Sequence, residues 1–311
     1  MRQIEKALQE YLSIRRTLGF KLHDEGSVLP QFLRFLEKEN ASFITTALAL
    51  RWATLPENVQ PAHWAHRLAM VRAFARFQIA LDPRTEIPPQ GLLPHRYCRK
   101  HPYIYGDTEI SRLLAASSHL QSTTGLRAST YSTLFGLLAV TGMRVSESVA
   151  LDISDVDLTK NILTVRQTKF GKSRLIPLHS STAGKLNEYS QLRDRLFPRG
   201  KNPSFFLSEK GLRLTHWIVR WTFVKLSHEI GFRAPDERHG PRIHDLRHTF
   251  AVKTLIRWYQ RDVDVERHMP ELTTFLGHAH VNHTYWYISA VPELLSLASL
   301  RTERVYREEL S

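Results

Sequence analysis

One cysteine, Cys98, stands among 311 residues. An intramolecular disulfide is therefore impossible, a cysteine-built structural zinc site is excluded, and a reducing, cytoplasmic setting fits. Nowhere do about 18 apolar residues run together, so a membrane-spanning helix is not supported. The stretch Met1–Glu10 is charged and amphipathic, which does not read as a secretory signal. Solenoid repeats, low-complexity tracts and a glycine-rich nucleotide loop are also missing. Acidic charge is scarce: 30 Asp and Glu face 43 Lys and Arg, a formal charge of +13. Such an excess attracts polyanions, nucleic acid above all, although a merely basic soluble protein would show it too. Hydrophobic residues make up 42% of the chain, which supports packed cores rather than disorder. The length suggests two domains.

The front of the chain reads as helical. Ile4, Leu8 and Tyr11 recur at helical spacing until Gly19 stops the run, and Val28, Phe32 and Phe35–Leu36 suggest a second helix. From Ala62 to Ile79, Trp64, Leu68, Val71 and Phe74–Phe77 form an apolar stripe. Arg67, Arg72 and Arg76 lie mostly off it, as phosphate contacts or as an ordinary solvated face. Pro83, Pro88, Pro89, Pro94 and Pro102, interleaved with Arg84, Arg96, Arg99 and Lys100, mark an extended basic linker. The boundaries expected are 1–82 for a helical DNA-binding domain, 83–102 for the linker and 103–311 for a second domain.

That second domain opens with helical patterning at Ile110–Ala116 and Leu126–Val140, then turns to β-like pieces at Ile162–Val165 and Arg174–Leu178. Phe205–Leu207 is strand or loop. Helices follow from Leu214 to the end, and the tail after Pro292 carries Leu294, Leu295, Leu297, Ala298 and Leu300. This apolar face docks either on a neighbouring subunit or on its own domain.

Four segments carry chemistry. In Thr141–Glu147, a glycine ends one helix and Arg144 begins the next, with Glu147 three residues on to orient the guanidinium. The turn Thr168–Arg174 holds Lys169, with Lys172 as its rival. In His244-Asp245-Leu246-Arg247-His248, His244, Arg247 and His248 share a helical face. Zinc on those histidines is disfavoured by the guanidinium between them. Last come Leu276-Gly277-His278 and Thr284-Tyr285-Trp286-Tyr287.

In this order and spacing the segments resemble the tyrosine recombinase (phage integrase) family over roughly residues 103–291. The resemblance implies a mainly α fold in the form of a two-domain DNA clamp. A helical N-terminal core-binding (SAM-like) domain would precede a mixed α/β catalytic domain with a small antiparallel sheet. It implies a site-specific recombinase of a mobile element that needs no cofactor or metal and works through a 3′-phosphotyrosyl link. Arg144 and Arg247 match the arginines that contact the non-bridging oxygens, Lys169 the turn lysine, His244 and His278 the active-site histidines, and Tyr287 the nucleophile. Glu147 and His248 stand as supporting residues. The family's usual Thr-Thr or Ser-Thr pair is His283-Thr284 here, and Tyr285 offers a second phenol. The partners implied are double-stranded DNA with specific recombination sites and three further copies in a homo-tetramer, with accessory or sister recombinases possible and no membrane. Two other functions fit less well: a type IB topoisomerase and a catalytically silent architectural DNA-binding protein.

Overall fold

The computed structural model describes residues 2–97, 99, 101–166, 173–198, 202–234, 236 and 240–309, and it divides into two compact units, Met1–Lys100 and His101–Ser311. The front unit holds four helices among its described residues: α1 (Arg2–Thr17), α2 (His23–Lys38), α3 (Thr46–Thr54) and α4 (Pro61–Gln78). Leu8, Leu29, Phe32, Leu36, Ala49, Val71 and Phe74 form their shared core. Helix α3 is not signalled by a long apolar period. It starts where the Thr45 hydroxyl accepts from the Leu48 amide.

The segment read as an extended linker is stitched to this unit in its first part. The Glu86 amide donates to the Ile44 carbonyl at 2.8 Å, and the Thr46 amide donates to the Glu86 carboxylate at 2.7 Å. Arg72 donates to the carbonyls of Pro88 and Pro89, each at 2.7 Å. Prolines leave carbonyls without matching amides, and here an arginine takes them.

The second unit begins with α5 (Asp107–Ser118), α6 (Leu126–Thr141) and α7 (Val145–Ala150). A small sheet follows, β1 (Val156–Asp157), β2 (Ile162–Val165) and β3 (Arg174–Pro177), antiparallel in that order. Leu163 opposes Ile176 and Val165 opposes Arg174. Leu163, Val165 and Ile176 face a core that also contains Leu134, Phe135, Phe206 and Phe223. Phe205–Leu207 lies between isolated bridges, Asp152 with Ser204 and Leu207 with Arg213, and forms no strand.

Helices complete the unit: α8 (Ser180–Leu196), α9 (His216–Glu229), α10 (Asp245–Gln260), α11 (Val265–Leu276), α12 (Asn282–Ala290) and α13 (Pro292–Glu309). The last four build a separate core from Val252, Leu255, Met269, Leu272, Leu276 and Leu294. Buried Leu294 places the start of α13 on its own domain, where Arg301 also donates to the Val263 carbonyl. Leu295 and Leu300 of the same helix stay exposed. Among the described residues, no helix is long and apolar enough to cross a membrane. The result is a mainly helical chain with one small antiparallel sheet, as the sequence implied.

Candidate active site

The site grows from the C-terminal end of α11. Gly277 takes the left-handed conformation there, φ +67°, and closes a helix-ending turn. The Gly277 amide bonds the Thr274 carbonyl and the His278 amide bonds that of Thr273. The next carbonyls in line would be orphans at the negative end of the helix dipole. Each instead receives an arginine. Arg174 Nε donates to Phe275 O at 2.8 Å, Arg247 to Leu276 O at 2.7 Å and Arg144 to Gly277 O at 3.0 Å. Arg247 also reaches the Gly142 carbonyl at 2.8 Å. Gly142 ends α6 at φ +60°, where a Cβ would meet the Phe250 ring at 2.7 Å. Two left-handed glycine turns thus supply the acceptors that fix the arginines.

One carboxylate serves this cluster. Glu147 accepts from Arg144 at 2.7 Å and from Arg174 at 2.7 and 3.1 Å. It also accepts from the Arg144 amide at 2.9 Å. Burial alone would raise its pKa. The bonds and charge of Arg174, then those of Arg144, outweigh that and hold it at about 2. Three guanidiniums against one carboxylate leave the site strongly cationic. Burial and the neighbouring Arg144 lower Arg247 to about 10, so it stays charged at neutral pH.

His244 and His278 are neutral at pH 7. Enclosure by the surrounding protein, then the charge of Arg247, brings His244 to about 4, although the residue as a whole is exposed. The same two causes bring His278 to about 3. His278 Nδ1 lies 2.8 Å from the Thr284 hydroxyl, which in turn meets Thr273 at 2.9 Å. Position 284 is therefore the half of the His283-Thr284 pair that orients the histidine. Asp245, the carboxylate that a zinc reading would have needed, holds the Arg242 amide at 2.7 Å and its guanidinium at 2.8 Å.

Tyr287, on α12, is 2% exposed, whereas Tyr285 is 38% exposed. The Tyr287 hydroxyl lies 2.9 Å from His248 Nδ1, and its ring stacks on His278 with centroids 6.4 Å apart. Arg144, Glu147, His244, Arg247, His248, His278 and Tyr287, residues far apart in sequence, are thus brought together. Lys169 lies outside the described residues, as do its neighbours 167–172. Neither Arg174 nor Thr284 was given a role from sequence. Arg174 looks like one more charge in a basic turn, and only the fold shows that its side chain is 8% exposed.

In the front unit, Arg67 stacks over the Trp52 ring at 3.7 Å and donates to the Trp52 carbonyl at 3.1 Å. Arg72 holds the proline carbonyls described above. Arg76 is exposed.

Residues 106–293 match the model of the phage integrase family. The chain belongs to that family. It is a tyrosine-type site-specific recombinase. The chain is 46% identical over 99% of both lengths to y4rB of Sinorhizobium fredii (strain NBRC 101917 / NGR234), which is named as an integrase/recombinase. It is 30% identical to the tyrosine recombinase XerD of Caulobacter vibrioides, covering 76% of this chain and 74% of that one. Among solved structures, the Tn1549 transposon integrase in complex with circular intermediate DNA shares the fold. Its TM-score is 0.67 at 17% identity, over 96% of this recombinase and 99% of that chain.

Proposed function

We propose that this recombinase cuts and rejoins duplex DNA through a 3′-phosphotyrosyl link on Tyr287. The observation that carries the reading is the convergence of Arg144 and Arg247 on one helix terminus, beside a buried tyrosine bonded to a histidine. A phosphodiester repels nucleophiles, and attack on it places negative charge on its non-bridging oxygens. Fixed, permanently charged, planar donors stabilise that charge. Arg144 and Arg247 are already held on backbone carbonyls, so little reorganisation accompanies attack.

The steps balance without an energy source. The Tyr287 oxygen bonds phosphorus, the bond to the 5′ oxygen breaks, and the phenol proton passes to an imidazole. A tyrosine phenol normally titrates near 10, so this proton must leave during attack. His248 is the base in contact with it, and His244 and His278 contribute hydrogen bonds to the phosphate. The departing 5′ oxygen takes a proton from Lys169 acting as general acid. A 5′ hydroxyl from another strand then reverses these steps and restores the phosphodiester. Exchange between two duplexes uses four active subunits, which supports a homo-tetramer on DNA. The partner is double-stranded DNA with specific sites.

A plasmid carrying two copies of DNA flanking the gene tests this function. The reading expects recombinant circles in EDTA. Relaxation of supercoils at single sites, with no recombinants, would point to a topoisomerase. Tight binding without cleavage would point to an architectural protein.

A further inference from the structure

We infer that His101 is a positioning residue: it braces the helix that carries Tyr287 against the helix that carries Arg247 and His248, and so sets the nucleophile for attack. This rests on the function proposed above. The need arises at the end of α12, where the chain reads Ala290-Val291-Pro292. The last carbonyls of a helix have no partner within it, and they sit at the negative end of its dipole. Val291 is extended, so the helix does not continue, and Pro292 has no amide to offer. The Val291 carbonyl is taken by the Leu295 amide of α13. The Ala290 carbonyl is taken by His101, whose Nδ1 donates to it at 2.9 Å.

His101 is the first residue of the second unit, and the strap that starts with it is bonded at its other end to α10. The Tyr105 amide donates to the Thr249 hydroxyl at 2.9 Å, and that hydroxyl donates to the Asp245 carbonyl at 2.8 Å. Tyr105 itself is fully buried, and its hydroxyl donates to the Arg242 carbonyl at 3.2 Å. Ile104, between the two anchors in sequence, packs against the core that α10 to α13 share. Thr249 follows His248 directly, and Tyr287 lies three residues before Ala290. Residues 101–105 thus join the end of α12 to the turn of α10 that bears Arg247 and His248. The contact that needs this spacing is the Tyr287 hydroxyl on His248 Nδ1, at 2.9 Å. Towards its other end α12 is held through Thr284, on His278 and Thr273.

The role assigned to His101 is to fix a helix, not to touch phosphate. The residue is exposed, so its replacement takes little from the core. Loss of one hydrogen bond shifts an equilibrium by up to about 10-fold. A reacting group misplaced by about 1 Å costs on the order of 10²-fold in rate. Loosening one of the anchors of α12 falls nearer the first figure. A residue that only holds DNA would change affinity, and one that only stabilises the fold would change melting. A brace on α12 changes the rate at saturating DNA and the local opening of residues 282–290.

The experiment compares full-length wild type, His101→Leu and His101→Asn. Asparagine places its amide nitrogen where the imidazole has Nδ1 and keeps the donor, whereas leucine loses it. Two quantities are measured: single-turnover adduct formation at saturating nicked duplex, and hydrogen exchange of the amides in residues 282–290 without DNA. His101→Leu is expected to form adduct about 10-fold slower and to exchange faster over 282–290, with its Kd for DNA and its melting temperature close to wild type. His101→Asn is expected to restore both rate and exchange. Wild-type rate or wild-type exchange in His101→Leu, failure of asparagine to restore them, or a change confined to DNA affinity overturns the inference. If thermal melting shows that His101→Leu has lost its fold, His101→Ala carries the same comparison. Absence of any adduct from wild type would instead refute the proposed function, and the exchange comparison would still decide the brace.

Discussion

Glu147 shows how a residue with a bland sequence reading becomes central. From sequence it is the far end of an i,i+3 pair with Arg144. In the fold it is the buried counter-ion shared by Arg144 and Arg174. Glu147→Gln keeps the shape and removes the charge. It leaves two guanidiniums facing each other over a neutral amide, and cleavage is expected to fall by about 10²-fold, comparable to loss of one preorganised donor; single-turnover rates check this. The depressed pKa values also predict a pH dependence of stability. His244 and His278 titrate lower in the folded protein than the usual 6.5. Their contribution is present above about 6.5 and lost as pH falls toward 4 and 3. Glu147, held at about 2, adds a loss that begins below about 4.3. Denaturant midpoints measured from pH 7 to pH 3 should fall steadily, and a flat profile would contradict the assignment. Most of the charged and nucleophilic members of the site were legible in the sequence because their types are rare in such an order. Arg174 was not, since burial depends on which helix end the hairpin meets. The preference for Tyr287 over Tyr285 came from its spacing to His278; in the fold Tyr287 is 2% exposed and Tyr285 38%.

At the scale of elements, the end of α11 does most to organise the site. Its last carbonyls and its glycine form a rack for three arginines, which gives Leu276-Gly277 a structural reason. Gly277→Ala would force an L residue into φ +67° and push on Arg174. Strain of this kind costs about 1–3 kcal/mol. The variant should show a lowered denaturant midpoint and a larger loss of cleavage than of DNA binding. Long helices with a clear apolar period, α1, α4 and α6, could be read directly, as could β2 and β3. Helix α8 could not. Its buried face is a narrow line of Ala183, Leu186 and Tyr189 with Ser190 and Arg193, and Arg193 is neutralised by Asp194 and the Phe205 carbonyl. A polar helix whose burial depends on such partners leaves little trace in a hydrophobic pattern. Phe205–Leu207 was ambiguous for the opposite reason: it is apolar because it is buried, and it pairs only through single bridges.

For the molecule as a whole, the charge of +13 is a statement about partners rather than about fold. The three arginines of α4 differ in setting: Arg67 and Arg72 hold Trp52 and the proline carbonyls, whereas Arg76 is exposed. Binding should weaken linearly in log salt. Arg76→Ala is expected to reduce that slope by about 1 without altering the melting temperature. Arg67→Ala is expected to lower the melting temperature first. Fluorescence anisotropy across a salt series separates the two.

The central claim is that Tyr287 forms a covalent bond to DNA, and trapping measures it directly. Nicked duplexes from DNA flanking the gene are incubated in EDTA with wild type, Tyr287→Phe and Tyr285→Phe, then denatured in SDS. Wild type and Tyr285→Phe should give a protein–DNA adduct, and Tyr287→Phe none. An adduct that survives in Tyr287→Phe, or disappears only in Tyr285→Phe, would contradict it.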